Sequence, residues 1–97
     1  MTPHEESRYT LKLFVTGRST RSETAIRTLK RICEEDLNNR FDLVIVDVLE
    51  HPDQAESGRI LATPTVVKEL PPPLRKVIGD LSDQEKVLIG LDIRPIE

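Results

Sequence analysis

Apolar and polar positions alternate from Tyr9 to Val15, with Tyr9, Leu11, Leu13 and Val15 on one side, and this two-residue period predicts a strand that Gly17 ends. The period then lengthens. Ala25, Ile26, Leu29, Ile32, Cys33 and Leu37 recur at three- and four-residue steps, which predicts an amphipathic helix over residues 21–37. Thr20 and Glu23 have the spacing of a capping box at its start, and Asn38-Asn39 is its stop signal. Phe41 to Val48 is the most strand-like run, and its nearly continuous Leu43–Val46 centre implies burial on both faces, as in a parallel sheet. Strand, helix and strand make a βαβ unit, expected to be right-handed.

Beyond Leu49 the pattern supports two readings. His51-Pro52-Asp53 opens a short helix towards Leu61, weakened by Gly58. Thr65–Leu70 reads as a strand, yet Val67–Leu70 would also finish a helix. Leu74–Ile78 is rich in apolar residues and closes on Gly79-Asp80. Ser82 and Glu85 have capping-box spacing before Val87, Leu88 and Leu91, with Gly90 as a stop, but Lys86–Leu91 reads equally as a strand. Pro71, Pro72 and Pro73 lie between the two apolar segments and Pro64 stands at the entrance. Each proline fixes its own φ and pushes the preceding residue out of the α region, so the four form a candidate hinge.

With 97 residues the chain suits one small domain, and with two Phe, one Tyr and no Trp its core must be aliphatic. A net charge of −3 argues against nucleic-acid binding. Basic residues gather in the first forty positions and acidic ones from Asp42 to Glu56, a layout suited to a charged protein surface. Cys33 is the single cysteine, so no disulfide can form within the chain, and a reducing, cytoplasmic setting is expected. No window approaches the roughly 20 apolar residues of a membrane span, and the polar N-terminus has no signal-peptide character.

A βαβ start followed by strand, strand and helix is thioredoxin-like, and Thr63-Pro64 falls where that fold places a cis-proline before its third strand. A redox enzyme would carry Cys-x-x-Cys between the first strand and first helix, where the helix N-terminus lowers a thiol pKa. Here that loop reads Thr16-Gly-Arg-Ser-Thr-Arg-Ser22, which rules out dithiol chemistry. Cys33 lies on the apolar stripe and reads as a small core residue. His4 and His51 have no ligand-forming neighbours, Asp47, Glu50 and Asp53 read as solvated strand-end carboxylates, and Gly17–Thr20 reads as a plain helix cap. No catalytic set, metal site or cofactor site assembles, which points to a binding protein.

Three blocks together resemble the KaiB family of circadian clock proteins: Leu11-Lys-Leu-Phe-Val-Thr-Gly17, then Ile60–Thr65 through Leu70-Pro-Pro-Pro-Leu-Arg-Lys-Val-Ile-Gly-Asp-Leu-Ser82, then Glu85-Lys-Val-Leu-Ile-Gly-Leu-Asp92. The resemblance covers residues 8–93, flanked by a flexible N-terminus over 1–7 and a short tail over 94–97. It implies an α/β, thioredoxin-like single domain that is metamorphic. The N-terminal βαβ is common to both folds. The second half is either βααβ, in a tetrameric or dimeric ground state favoured for the free protein, or αββα, in a switched monomer. It further implies a KaiC-type ATPase as partner, with a KaiA-like protein or a sensor histidine kinase as further partners. By the same resemblance the proline hinge falls on Pro64, Pro71, Pro72 and Pro73, and the switch-sensitive C-terminal positions on Gly90 and Asp92. The alternative is a thioredoxin-like adaptor of a sensor histidine kinase, without redox activity.

Overall fold

The alternating run at the start of the chain becomes the spine of the sheet. In the computed structural model, which describes residues 8–37 and 40–94, it forms β1 (Tyr9–Val15), followed by α1 (Thr20–Glu35) and β2 (Phe41–Asp47). The second half is α2 (Pro52–Ser57), β3 (Thr65–Leu70), β4 (Arg75–Ile78) and α3 (Gln84–Gly90). The expectations for residues 1–7, for the Asn38-Asn39 stop and for residues 95–97 fall outside the described residues. Strand order is β2-β1-β3-β4, with β1 parallel to β2 and antiparallel to β3, and β3 antiparallel to β4.

Of the two second halves that the sequence admits, the structure has αββα and not the βααβ arrangement favoured above. Several local preferences agree on this form. Asp83 accepts hydrogen bonds from the backbone N–H groups of Glu85 and Lys86, satisfying two free donors at the start of α3. Gln84 Nε2 donates to Asp36 Oδ2 at 2.7 Å, tying that start to the end of α1. The three consecutive prolines fall in the turn between β3 and β4, where their missing N–H groups cost no ladder bond.

The core lies on one face of the sheet. Tyr9, Leu11, Leu13 and Val15 pack with Ala25, Leu29, Ile32 and Cys33 of α1, and with Val87 and Leu91 from α3 and its end. At about 25 cal/mol per Å² of apolar area removed from water, each such leucine or isoleucine contributes about 1.5–3 kcal/mol. The opposite face carries a smaller cluster of Phe14, Val46 and Val67, with Val48 and Ile60 against it. Among the described residues no helix is long and apolar enough to cross a membrane.

Four expectations need correction. The Leu43–Val46 run is not buried on both faces: β2 is an edge strand, and Val44 and Ile45 are 48% and 40% exposed. An apolar run reports a taste for the sheet, and only the tertiary order says whether a neighbour covers both sides. The first helix is capped by Ser19, whose side chain accepts from the Ser22 N–H, rather than by a Thr20–Glu23 box. The last is capped by Asp83 rather than Ser82. In both cases adjacent residues are good acceptors, and tertiary position selects one. The short helix ends at Ser57, short of Leu61, where Gly58 caps it.

Candidate functional site

The loops at the ends of β1 and β2 and the entry to β3 meet where thioredoxins carry their thiol pair. Gly17 makes the turn after β1 with φ +57, a conformation in which a side chain is strained. Asp47 Oδ1 accepts from the Gly17 N–H at 3.2 Å and from the Leu49 N–H at 2.9 Å, fastening the β1 loop to the β2 loop. The Thr16 and Thr63 hydroxyls hydrogen-bond to each other, joining both to the loop before β3. Ser22 Oγ donates to the Thr16 carbonyl at 3.4 Å, and the Thr63–Pro64 peptide is cis. Leu49 and Leu61, 68% and 94% exposed, flank this constellation.

Chemically the constellation offers hydroxyls, an aspartate engaged by backbone donors, and apolar rim. Cys33 is fully buried on α1, and that burial, helped by the charge of Glu34, pushes its thiol up to about 12. The thiolate that would act as a nucleophile is therefore disfavoured at neutral pH. Among the described residues no group of three or more His, Cys, Asp and Glu could hold a metal ion.

The four prolines and the two C-terminal positions singled out in the sequence lie around the β3–β4 hairpin. Pro64 precedes β3, and Pro71, Pro72 and Pro73 turn the chain into β4, so these prolines sit at opposite ends of one six-residue strand. The Leu70–Pro71 and Pro72–Pro73 bonds are also cis. Gly90 ends α3 against β4, where an added Cβ would stand 2.6 Å from Val77 Cγ2. Asp92 follows α3 with φ +55. Its N–H donates to the Ile89 carbonyl at 3.1 Å and the Ile93 N–H to the Leu88 carbonyl at 2.9 Å. Those two bonds make a Schellman motif, and the buried Ile93 provides its apolar contact.

Sequence reasoning missed Lys68. It lies on the same face of β3 as Val66, opposite Leu11, and is 1% exposed. Burial holds its ammonium below the usual lysine range, the charge of Asp92 opposes that shift, and Arg75 reinforces it. The only signal was its alternation with Val66, which a lysine at a strand position does not normally invite one to read as burial. Also missed was a cleft of about 450 Å³ on the α2 side of the sheet. No local pattern marks a cleft whose walls come from four separate elements.

Residues 12–93 match the KaiB domain family. The chain is 53% identical over 89 residues to the circadian clock protein KaiB3 of Synechocystis sp., covering 92% of this chain and 87% of that protein. It is 56% identical over 85 residues to the circadian clock oscillator protein KaiB of Microcystis aeruginosa, covering 88% and 82%. The chain belongs to the KaiB family. Among solved structures, the N-terminal domain of Synechococcus elongatus SasA superposes with a TM-score of 0.69 at 26% identity, over 88% of this KaiB-family chain and 84% of that domain. Mitochondrial thioredoxin 3 of Saccharomyces cerevisiae superposes with a TM-score of 0.70 at 20% identity, over 92% and 81%, a likeness of fold alone. In this KaiB-family member the thioredoxin frame thus carries hydroxyls and glycine where a dithiol would stand.

Proposed function

We propose that the protein is a non-catalytic regulatory binding partner of a KaiC-type ATPase, acting in the cytoplasm in circadian or other timing and stress regulation. The observation that carries this reading is its identity of 53–56% with relatives named as circadian clock proteins. The loop Thr16–Ser22, with no cysteine on a thioredoxin-like frame, supports binding over catalysis. In this reading the second half exchanges slowly between αββα, the monomeric form that docks, and βααβ in a tetrameric or dimeric ground state. Pro64, Pro71, Pro72 and Pro73 are its hinge, and Gly90 and Asp92 set its balance. Their surroundings suit that role, because a Cβ added at Gly90 would meet Val77 of β4 and the charge of Asp92 acts on Lys68 of β3.

Size-exclusion chromatography with a KaiC-type ATPase, with and without nucleotide, tests the reading. Co-elution that develops slowly and depends on nucleotide is the expected result. Failure with every KaiC homologue encoded in the same genome overturns it. The second reading, an adaptor of a sensor histidine kinase, is favoured by the fold shared with the SasA N-terminal domain. Capture of a kinase with no ATPase would decide for it. A KaiA-like protein is a further partner under the first reading only.

A further inference from the structure

The face of the sheet opposite the main core is only partly covered. Between α2 and the β3–β4 hairpin it leaves the cleft of about 450 Å³, inside the range of roughly 300–1,000 Å³ typical of small-ligand sites. Its floor is apolar, made by the buried Phe14 and Val67, and Leu74 stands at one wall. The last turn of α2 and the Gly58-Arg59 link form the other wall. Three cations line it, Lys12, Arg59 and Lys76, against one anion, Glu69. That local excess of positive charge runs against the chain's net −3.

The cations are not equally committed. Lys12 Nζ is 3.7 Å from Glu69 Oε2, so this pair largely neutralises itself. Lys76 Nζ donates to the Gly58 carbonyl at 2.9 Å, a neutral acceptor that leaves its charge uncompensated. Arg59 forms no ion pair among the described residues. It is also held at φ +54, a conformation that L residues with long side chains rarely adopt. An apolar floor beneath two uncompensated cations suits one kind of occupant.

We propose that this cleft binds a small amphiphilic anion, an aromatic or aliphatic body carrying one carboxylate, sulfonate or phosphate group, with the body on Phe14 and Val67 and the charge between Arg59 and Lys76. A concave floor closed on two sides favours a compact molecule over a polypeptide segment, which would spread over the rim. The site is independent of the clock reading, since it needs neither an ATPase nor a kinase.

NMR titration of the ¹⁵N-labelled protein with naphthalene-2-sulfonate tests this. Amide shifts should concentrate on Ser57, Gly58, Arg59, Val67 and Lys76. Arg59→Gln and Lys76→Gln should each weaken binding about fivefold or more, as loss of one charge-assisted hydrogen bond requires. The neutral naphthyl methyl sulfone should bind about tenfold more weakly, and Lys86→Gln, remote from the cleft, should change nothing. Equal binding of the neutral compound, shifts centred on Leu49 and Leu61, or no saturable binding would each overturn the proposal. So would an acidic Glu/Leu peptide that produces the same shifts at lower concentration, which would assign the cleft to a polypeptide.

Discussion

Asp92 is the residue whose replacement should stabilise this fold most directly. It occupies the C′ position of the Schellman motif that ends α3, with φ +55. For an L residue the left-handed conformation costs up to about 1–2 kcal/mol, less for aspartate. Glycine removes that cost but adds about 0.4–1 kcal/mol of unfolded-chain entropy. Its carboxylate also faces the negative end of the helix, worth about 0.3–1 kcal/mol when removed. Against these gains stands the lost attraction for the buried Lys68. The balance for Asp92→Gly is a gain of about 0.5–1.5 kcal/mol, or several degrees in Tm at about 4–8 °C per kcal/mol for a domain of this size. Asp92→Asn keeps the side chain's tolerance for positive φ and isolates the charge effects, which 1 M salt should shrink. Asp92→Arg gains at the helix end but adds a third cation near Lys68 and Arg75, so it should fall short of Asp92→Gly. Urea unfolding with an unchanged m-value reads these differences as shifts in midpoint. Asp92→Ala provides the check, because it removes the charge and keeps the Cβ. If Asp92→Ala is as stable as Asp92→Gly, the backbone part of the reasoning fails. Under the proposed exchange, each 1.4 kcal/mol given to αββα multiplies its population about tenfold.

Replacing Lys68 with Met should stabilise the protein at neutral pH by about 1 kcal/mol or more, since the buried charge is lost and its apolar stem is kept. In the wild type, the folded-state pKa of Lys68 lies below the 10.5 of the unfolded chain, so the unfolded state binds more protons between those two values. Stability should therefore rise with pH across that window, and urea midpoints of Lys68→Met should lack that rise. Gly90→Ala should gain about 0.5–1 kcal/mol of helix propensity in full only when Val77 is also shortened to Ala, because its Cβ crowds Val77 Cγ2. A double-mutant cycle with no coupling would show that Val77 yields freely. Cys33 should resist thiol reagents at pH 8 in the native protein, and Cys33→Ala should cost about 1–2 kcal/mol for the small void while leaving partner binding intact. Rapid labelling without unfolding would contradict its burial.

The first half of the fold was legible because its periods are unambiguous: Tyr9–Val15 alternates by two, and Ala25 to Leu37 steps by three and four. Cap identity was not, because Ser19 and Thr20, like Ser82 and Asp83, are neighbouring acceptors that differ only in how the chain enters the helix. The exposure of Val44 and Ile45 was hidden because residue type does not distinguish an edge strand from a central one. The second half was divided at Val67–Leu70 and Lys86–Leu91, where the same residues satisfy two periods, and only the packing of Val87 and Leu91 beneath the sheet resolves the form seen here. The lack of a dithiol at Thr16–Ser22 was plain from the residues, whereas the hydroxyl contact between Thr16 and Thr63 joins positions far apart in the chain. The cleft was invisible for the same reason, and Lys68 showed only its alternation with Val66.

The helix Pro52–Ser57 has six residues and none of its side chains is buried. A helix of that length does not persist alone in water, and here it has little packing to replace what its length lacks. Its amides should therefore exchange with deuterium through local opening, at a free-energy cost far below that of global unfolding. Amides of Leu11 and Leu13, in the middle of a strand paired on both sides, should exchange only when the whole domain opens. The molecule thus has a hard floor and a soft wall on one and the same cleft. A ligand there would slow deuterium uptake in residues 54–59 while leaving the slowest amides of the sheet nearly untouched, so protection would map the wall and not the floor.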